Sequence, residues 1–188
     1  MKRLTPAVIS VVVVVAAVFL VAMSVAVPAK NTGGFFLASV AFEAKGKIPS
    51  KFGCGPERNW RRPSVPLHWN NPPVNTKSFV LLMDDPHPVA KYWVHWLVTD
   101  IPATARMLTE NADCTGLPPG SKQLKNSFGD TAYGGPCPPK GVHTYRFRLY
   151  AMPTESTTLN ITGKNGKALG KELSKTALGV ASLSAEYP

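Results

Sequence analysis

The run Ser78-Phe79-Val80-Leu81-Leu82-Met83, closed by Asp84-Asp85-Pro86, leaves this chain the least conformational freedom. It is nearly continuous in apolar residues, short, and stopped by acids and a proline, so it reads as a strand covered on both faces. Such a strand sits at the centre of a layered fold. In Trp93-Val94-His95-Trp96-Leu97-Val98-Thr99, a period of two puts Trp93, His95 and Leu97 on one face and Val94, Trp96 and Val98 on the other. His95 then points into apolar surroundings. The alternation is cleaner from His143 on, with His143, Tyr145, Phe147 and Leu149 inward and Thr144, Arg146 and Arg148 outward.

The remaining segments are less regular. Residues 42–49 read as a short strand or edge segment closed by Gly and Pro, and Leu67-His68-Trp69 as a brief strand within the Pro-, Arg- and Asn-rich stretch 53–73. The stretch 103–136 has little periodicity and reads as a long ordered connection carrying Asn126, Phe128 and Gly129. From Lys167 the spacing predicts a helix, with Leu169, Leu173, Ala177 and Val180 on one stripe and Lys167, Lys171 and Lys175 roughly opposite. Gly170 and Gly179 each weaken that helix by about 1 kcal/mol relative to Ala, so packing against the sheets has to hold it.

The N-terminus has a separate role. Lys2 and Arg3 precede the uncharged run 7–27, and small residues around Ser24-Val25-Ala26 and Val27-Pro28-Ala29 suit a signal peptidase. About twenty residues also just span a bilayer. Residues 1–29 are therefore a signal peptide or a membrane anchor, and 35–188 form one exported domain, periplasmic or secreted, or held at a membrane through 1–29. The net charge of +10 stays strongly basic without Lys2 and Arg3. Its basic residues are scattered and lack an aromatic stacking platform, which argues against nucleic acid as a partner and for anionic partners generally. In an oxidising compartment Cys54, Cys114 and Cys137 allow one disulfide and one thiol, with the pairing left open.

Three separated pieces carry the candidate chemistry: Asp84-Asp85-Pro86-His87-Pro88, His95-Trp96, and the segment from Gly135-Pro136-Cys137 to His143-Thr144-Tyr145. If they meet, two imidazoles and backbone N–H groups around Gly135 and Pro136 form a compact receptor for phosphate or carboxylate oxygens. Asp85 would orient one imidazole by accepting its second N–H. The same His95, His143 and Asp85 admit an alternative, a facial metal triad. No cysteine spacing suits zinc, no GxSxG or HExxH occurs, and no cofactor motif is present. The chemistry is recognition and needs no bond to break.

The ordered set Asp85-Pro86, His95-Trp96, Asn126-Ser127-Phe128-Gly129, Tyr133-Gly134-Gly135-Pro136-Cys137-Pro138-Pro139 and Gly141-Val142-His143-Thr144-Tyr145 resembles the phosphatidylethanolamine-binding protein family, in its bacterial Raf kinase inhibitor-like branch. The resemblance covers 42–187. It implies a mainly β fold, a Greek-key sandwich of two antiparallel sheets with a C-terminal helix. It also implies a small anion pocket for phosphate or a phospholipid headgroup at one end, formed by Asp85, His95, Gly135, Pro136, His143 and Tyr145. The implied activity is binding and inhibition, with a kinase or protease as protein partner, and not catalysis. Three departures stand out: His87 where the family carries a second carboxylate, Thr144 where it carries a basic residue, and the more basic loop 54–66 with Arg58, Arg61 and Arg62, which would suit docking on an acidic partner.

Overall fold

The computed structural model describes residues 34–188, so the N-terminal segment and its two readings lie outside the described residues. The described residues belong to one compact unit. Eight strands form two antiparallel sheets. Strands β1 (Phe36–Ala38), β2 (Leu67–Asn70) and β5 (Met107–Leu108) make the smaller sheet, in the order β1-β2-β5. Strands β3 (Ser78–Asp85), β4 (Trp93–Pro102), β6 (Lys122–Gln123), β7 (His143–Met152) and β8 (Gly179–Tyr187) make the larger one, ordered β6-β4-β3-β7-β8. Within it β7 returns beside β3 at the far side from β6, which is the Greek-key order. Helix α1 (Ala112–Thr115) is a single turn, and helix α2 (Gly166–Leu173) precedes β8.

Every residue of β3 is buried, because both faces of the large sheet are covered. On one face Phe79, Leu81 and Met83 meet Leu37, Leu67 and Trp69 of the smaller sheet. On the other, Val80 and Leu82 join Tyr150 and Met152 beneath Leu169 and Leu173 of α2. Among the described residues no helix is long and apolar enough to cross a membrane.

One expectation narrows, to the edge segment it allowed, and one changes. Residues 42–49 form no named strand; they run along the edge of β8, with Lys45 and Ile48 N–H groups donating to the Ser184 and Glu186 carbonyls. The predicted helix stops at Leu173, and Val180 belongs to β8. Leu169, Leu173 and Ala177 do pack as one stripe, but 179–187 alternates, with Ala181, Leu183, Ala185 and Tyr187 inward. Nine registered pairs with β7 outweigh the helical spacing of those small side chains.

Candidate functional site

The end of β3 sends its two acids to opposite faces. Asp84 points outward to Arg146 and Arg148, while Asp85 points inward. Asp85 is buried, its Oδ2 accepting from His143 Nδ1–H at 2.6 Å and its Oδ1 from the His87 backbone N–H at 2.9 Å. His143 opens β7 and is itself buried. The His87 ring stacks on it, centroids 3.8 Å apart and planes 17° from parallel.

His95 reaches the same place by a route that strict alternation misses. Met83 pairs with Trp96 but Asp84 pairs with Val94, so His95 is the extra residue of a β-bulge. The bulge moves Val94 to the face of Leu97, beneath α2, and turns His95 toward Tyr145, which meets its ring edge-on at 5.0 Å. His95 Nδ1–H donates to the Gly134 carbonyl at 2.8 Å, and Gly134 N–H donates to the His95 carbonyl at 2.8 Å. Asp85, His95, His143 and Tyr145 are thus brought together. His143 Nε2 and Tyr145 Oη are both buried without a hydrogen-bond partner.

Gly135 and Pro136 stand beside this group but offer it no free N–H, since proline has none and that of Gly135 is already used. Gly135 N–H donates to the Trp60 carbonyl at 2.7 Å, and the Pro136 carbonyl accepts from Cys54 N–H at 2.8 Å. A Cβ at Gly135 would lie 2.5 Å from the Phe52 carbonyl oxygen, so only glycine allows this approach. The two residues hold Cys137, disulfide-bonded to Cys54, against the site; Cys114 is the exposed thiol. Asn126 fixes the facing loop by donating to the Ala132 carbonyl and accepting from Phe128 and Asp130 N–H groups.

Asp85, His95 and Cys137 line one end of a cleft of about 910 Å³, whose apolar walls include Trp93, Phe128 and Ile161 and whose rim carries Lys91 and Lys125. His143 and Tyr145 are not part of that lining but adjoin it, His143 through Asp85 and Tyr145 through His95. Sequence reasoning missed Lys91 and Tyr92, which both adopt left-handed backbone (φ 53° and 62°) that side-chain patterns do not announce. The N-terminus of α2 clamps the pair: Asn165 Nδ2 donates to the Lys91 carbonyl at 3.0 Å and Gly166 N–H to the Tyr92 carbonyl at 2.8 Å.

Burial holds the pKa of His95 below its ordinary value of 6.5, outweighing the Gly134 carbonyl and Asp85. Burial, then Asp85, pushes the Tyr145 hydroxyl up, so it stays a donor. The unfolded chain therefore binds the His95 proton more readily than the folded one. His95 contributes its full stability above about pH 6.5, and that contribution is lost as pH falls from there toward the depressed folded pKa, by at most about 1.4 kcal/mol per pH unit. Urea midpoints of the wild type should fall more steeply across this window than those of His95→Gln; equal slopes would show that His95 is not held neutral.

The basic loop is largely occupied at home. Arg61 pairs with Asp130 at 3.1 Å, which also accepts from Trp60 Nε1; Arg62 lies 3.7 Å from Glu57, and Arg58 donates to the Pro138 carbonyl. These contacts pin the loop to its neighbours. Among the described residues no three His, Cys, Asp or Glu side chains converge as metal ligands would. His95, His143 and Asp85 share a site, but the Asp85 carboxylate faces His143 Nδ1 and not a common centre.

Comparison with known proteins agrees with this architecture. The family model described as phosphatidylethanolamine-binding protein matches residues 38–188. A UPF0098 protein of Methanothermobacter thermautotrophicus is 44% identical over 119 residues, 63% of this chain and 76% of that one. The UPF0098 protein YbcL of Escherichia coli is 38% identical over 144 residues, 73% of this chain and 76% of that one. The crystal structure of Escherichia coli YbcL, described as a new member of the mammalian PEBP family, superposes with a TM-score of 0.70 at 32% identity, covering 81% of this chain and 97% of that one. With its two-sheet fold and a match over most of its length, the chain belongs to the phosphatidylethanolamine-binding protein family.

Proposed function

We propose that this protein is an exported, non-enzymatic binding protein whose site at Asp85, His95, His143 and Tyr145, where the cleft meets the buried Asp85–His143 pair, takes a small phosphate-type anion, free or as the headgroup of a larger molecule. The observation that carries the reading is the buried Asp85–His143 pair with His143 Nε2 and Tyr145 Oη left without partners. A buried polar group without a partner costs about 1–3 kcal/mol, which a bound ligand offsets by supplying one. Tyr145 donates to a phosphate oxygen. His143, its Nδ1–H fixed by Asp85, meets a phosphate hydroxyl with its Nε2 lone pair. The family name supports binding, and the uncharged N-terminal run 7–27 supports export.

Calorimetric titration of the full chain in mild detergent with inorganic phosphate and O-phosphoethanolamine tests this. Saturable binding is expected, weakened about ten- to a hundredfold in His143→Ala, as for a hydrogen bond to a charged group. A thermal melt confirms that the variant is folded. Unchanged affinity in folded His143→Ala removes the pocket from the account.

A further inference from the structure

The cleft is far larger than one phosphate group, and its charges are unequal. Among the described residues Asp85 is the only carboxylate lining it. Both its oxygens are taken, Oδ1 by the His87 backbone N–H and Oδ2 by His143. Against it stand His95, Lys91 and Lys125, and neither of these lysines has an acidic partner among the described residues, whereas Lys164 is paired with Glu172. His87 is not part of the cleft lining but stands beside Asp85 and stacks on His143. Its Nδ1 accepts from Val89 N–H at 3.3 Å, so the neutral ring keeps its proton on Nε2 as a donor.

We propose that the cleft selects phosphomonoesters that carry no cationic group over zwitterionic phosphoethanolamine, with His87 as a specificity-determining residue. The inference rests on the anion-binding reading above and narrows it. A ligand ammonium entering the cleft meets two unpaired lysines against a single carboxylate whose oxygens already hold two donors, so repulsion outweighs the attraction to Asp85. A dianion meets the opposite field. The carbon skeleton of an ester lies on the apolar wall of Trp93, Phe128 and Ile161, which a bare phosphate leaves uncovered. An acid at position 87 would place a free carboxylate beside Asp85 and give an ammonium its partner.

The experiment compares glycerol 3-phosphate, O-phosphoethanolamine and inorganic phosphate on the full chain in mild detergent, at one pH above neutral, for wild type, His87→Asp and Lys125→Glu. The wild type should bind glycerol 3-phosphate about tenfold more tightly than O-phosphoethanolamine, the size of one charge interaction. His87→Asp should bring that ratio close to one, and Lys125→Glu, at an exposed position where folding is not at stake, should lower it in the same direction. Two outcomes overturn the inference while leaving the anion pocket standing: phosphate binding with a wild-type ratio near one, or a ratio that neither variant moves. No binding of any of the three probes to wild type would remove the anion pocket itself, and this selectivity with it.

Discussion

Asp84→Ala should cost about 3–5 kcal/mol of folding stability, because it removes one partner of a buried ionic group and strands the others. Asp84 is fully buried on the outer face of the large sheet. Its Oδ1 accepts from Arg146 Nε at 3.1 Å, and its Oδ2 from Arg146 Nη2 at 2.8 Å and Arg148 Nη2 at 2.9 Å. Arg146 is a third exposed and regains water when the carboxylate goes, but the Arg148 side chain is only 14% exposed and keeps just the Gly166 carbonyl. The loss therefore falls mainly on Arg148. Urea unfolding monitored by tryptophan fluorescence gives the number directly, and a loss under about 1 kcal/mol would mean that water reaches the group. Replacing the group by apolar residues of similar volume, as in Asp84→Leu with Arg146→Met and Arg148→Met, should recover much of the stability, since no charge is then left buried alone.

This ionic group also shows what the sequence could and could not convey. The alternation of β7 placed Arg146 and Arg148 on the outer face, where they are found. It did not say that Asp84 would join them, because that depends on β3 pairing with β7 across some sixty intervening residues. Gly170, read as a weakness in the helix, has a packing reason: a Cβ there would sit 2.1 Å from Arg148 Nη1, and one at Gly166 would sit 2.4 Å from Asp84 Oδ2. The glycines let α2 approach the charged group, so their helix-propensity cost is offset by contact that a local window cannot see.

The site was legible to a similar degree. His143 and Tyr145 follow from period two alone, and Asp85 from the strand end. His95 was named on the wrong face and arrives through a bulge, which is a property of two paired strands and not of one. His87 read as turn chemistry beside two prolines, and its stacking on His143 appears only once β3 and β7 are neighbours. Gly179 and Val180, which open β8, read as helix because Gly, Ala and Ser satisfy either period weakly; the partner strand decides the outcome.

Reduction of the Cys54–Cys137 bond, or its removal by Cys54→Ala with Cys137→Ala, should destabilise the domain by about 2–5 kcal/mol and weaken anion binding together with it. The bond joins residues 83 apart, and closing a loop of that length lowers the entropy of the unfolded chain by the equivalent of about 4.5 kcal/mol in the chain-entropy limit. The second effect is local. Cys137 is part of the cleft wall, and its neighbours are placed by contacts that converge on the 52–54 segment: Cys54 N–H on the Pro136 carbonyl, and Tyr133 Oη on the Phe52 carbonyl at 3.1 Å. With the covalent tie gone, the loop that shapes the wall beside His95 and Tyr145 is left to hydrogen bonds worth about 1 kcal/mol each: these two, the Gly134–His95 pair and Gly135 N–H on the Trp60 carbonyl. Cys114→Ala serves as the control, because an exposed thiol away from the bond should shift stability by no more than about 0.5 kcal/mol. Melting curves and phosphate titrations with and without reductant separate the two effects. A lower melting temperature with unchanged affinity would mean that hydrogen bonds alone keep the wall in place, and a fall in both would make the disulfide a part of the binding site.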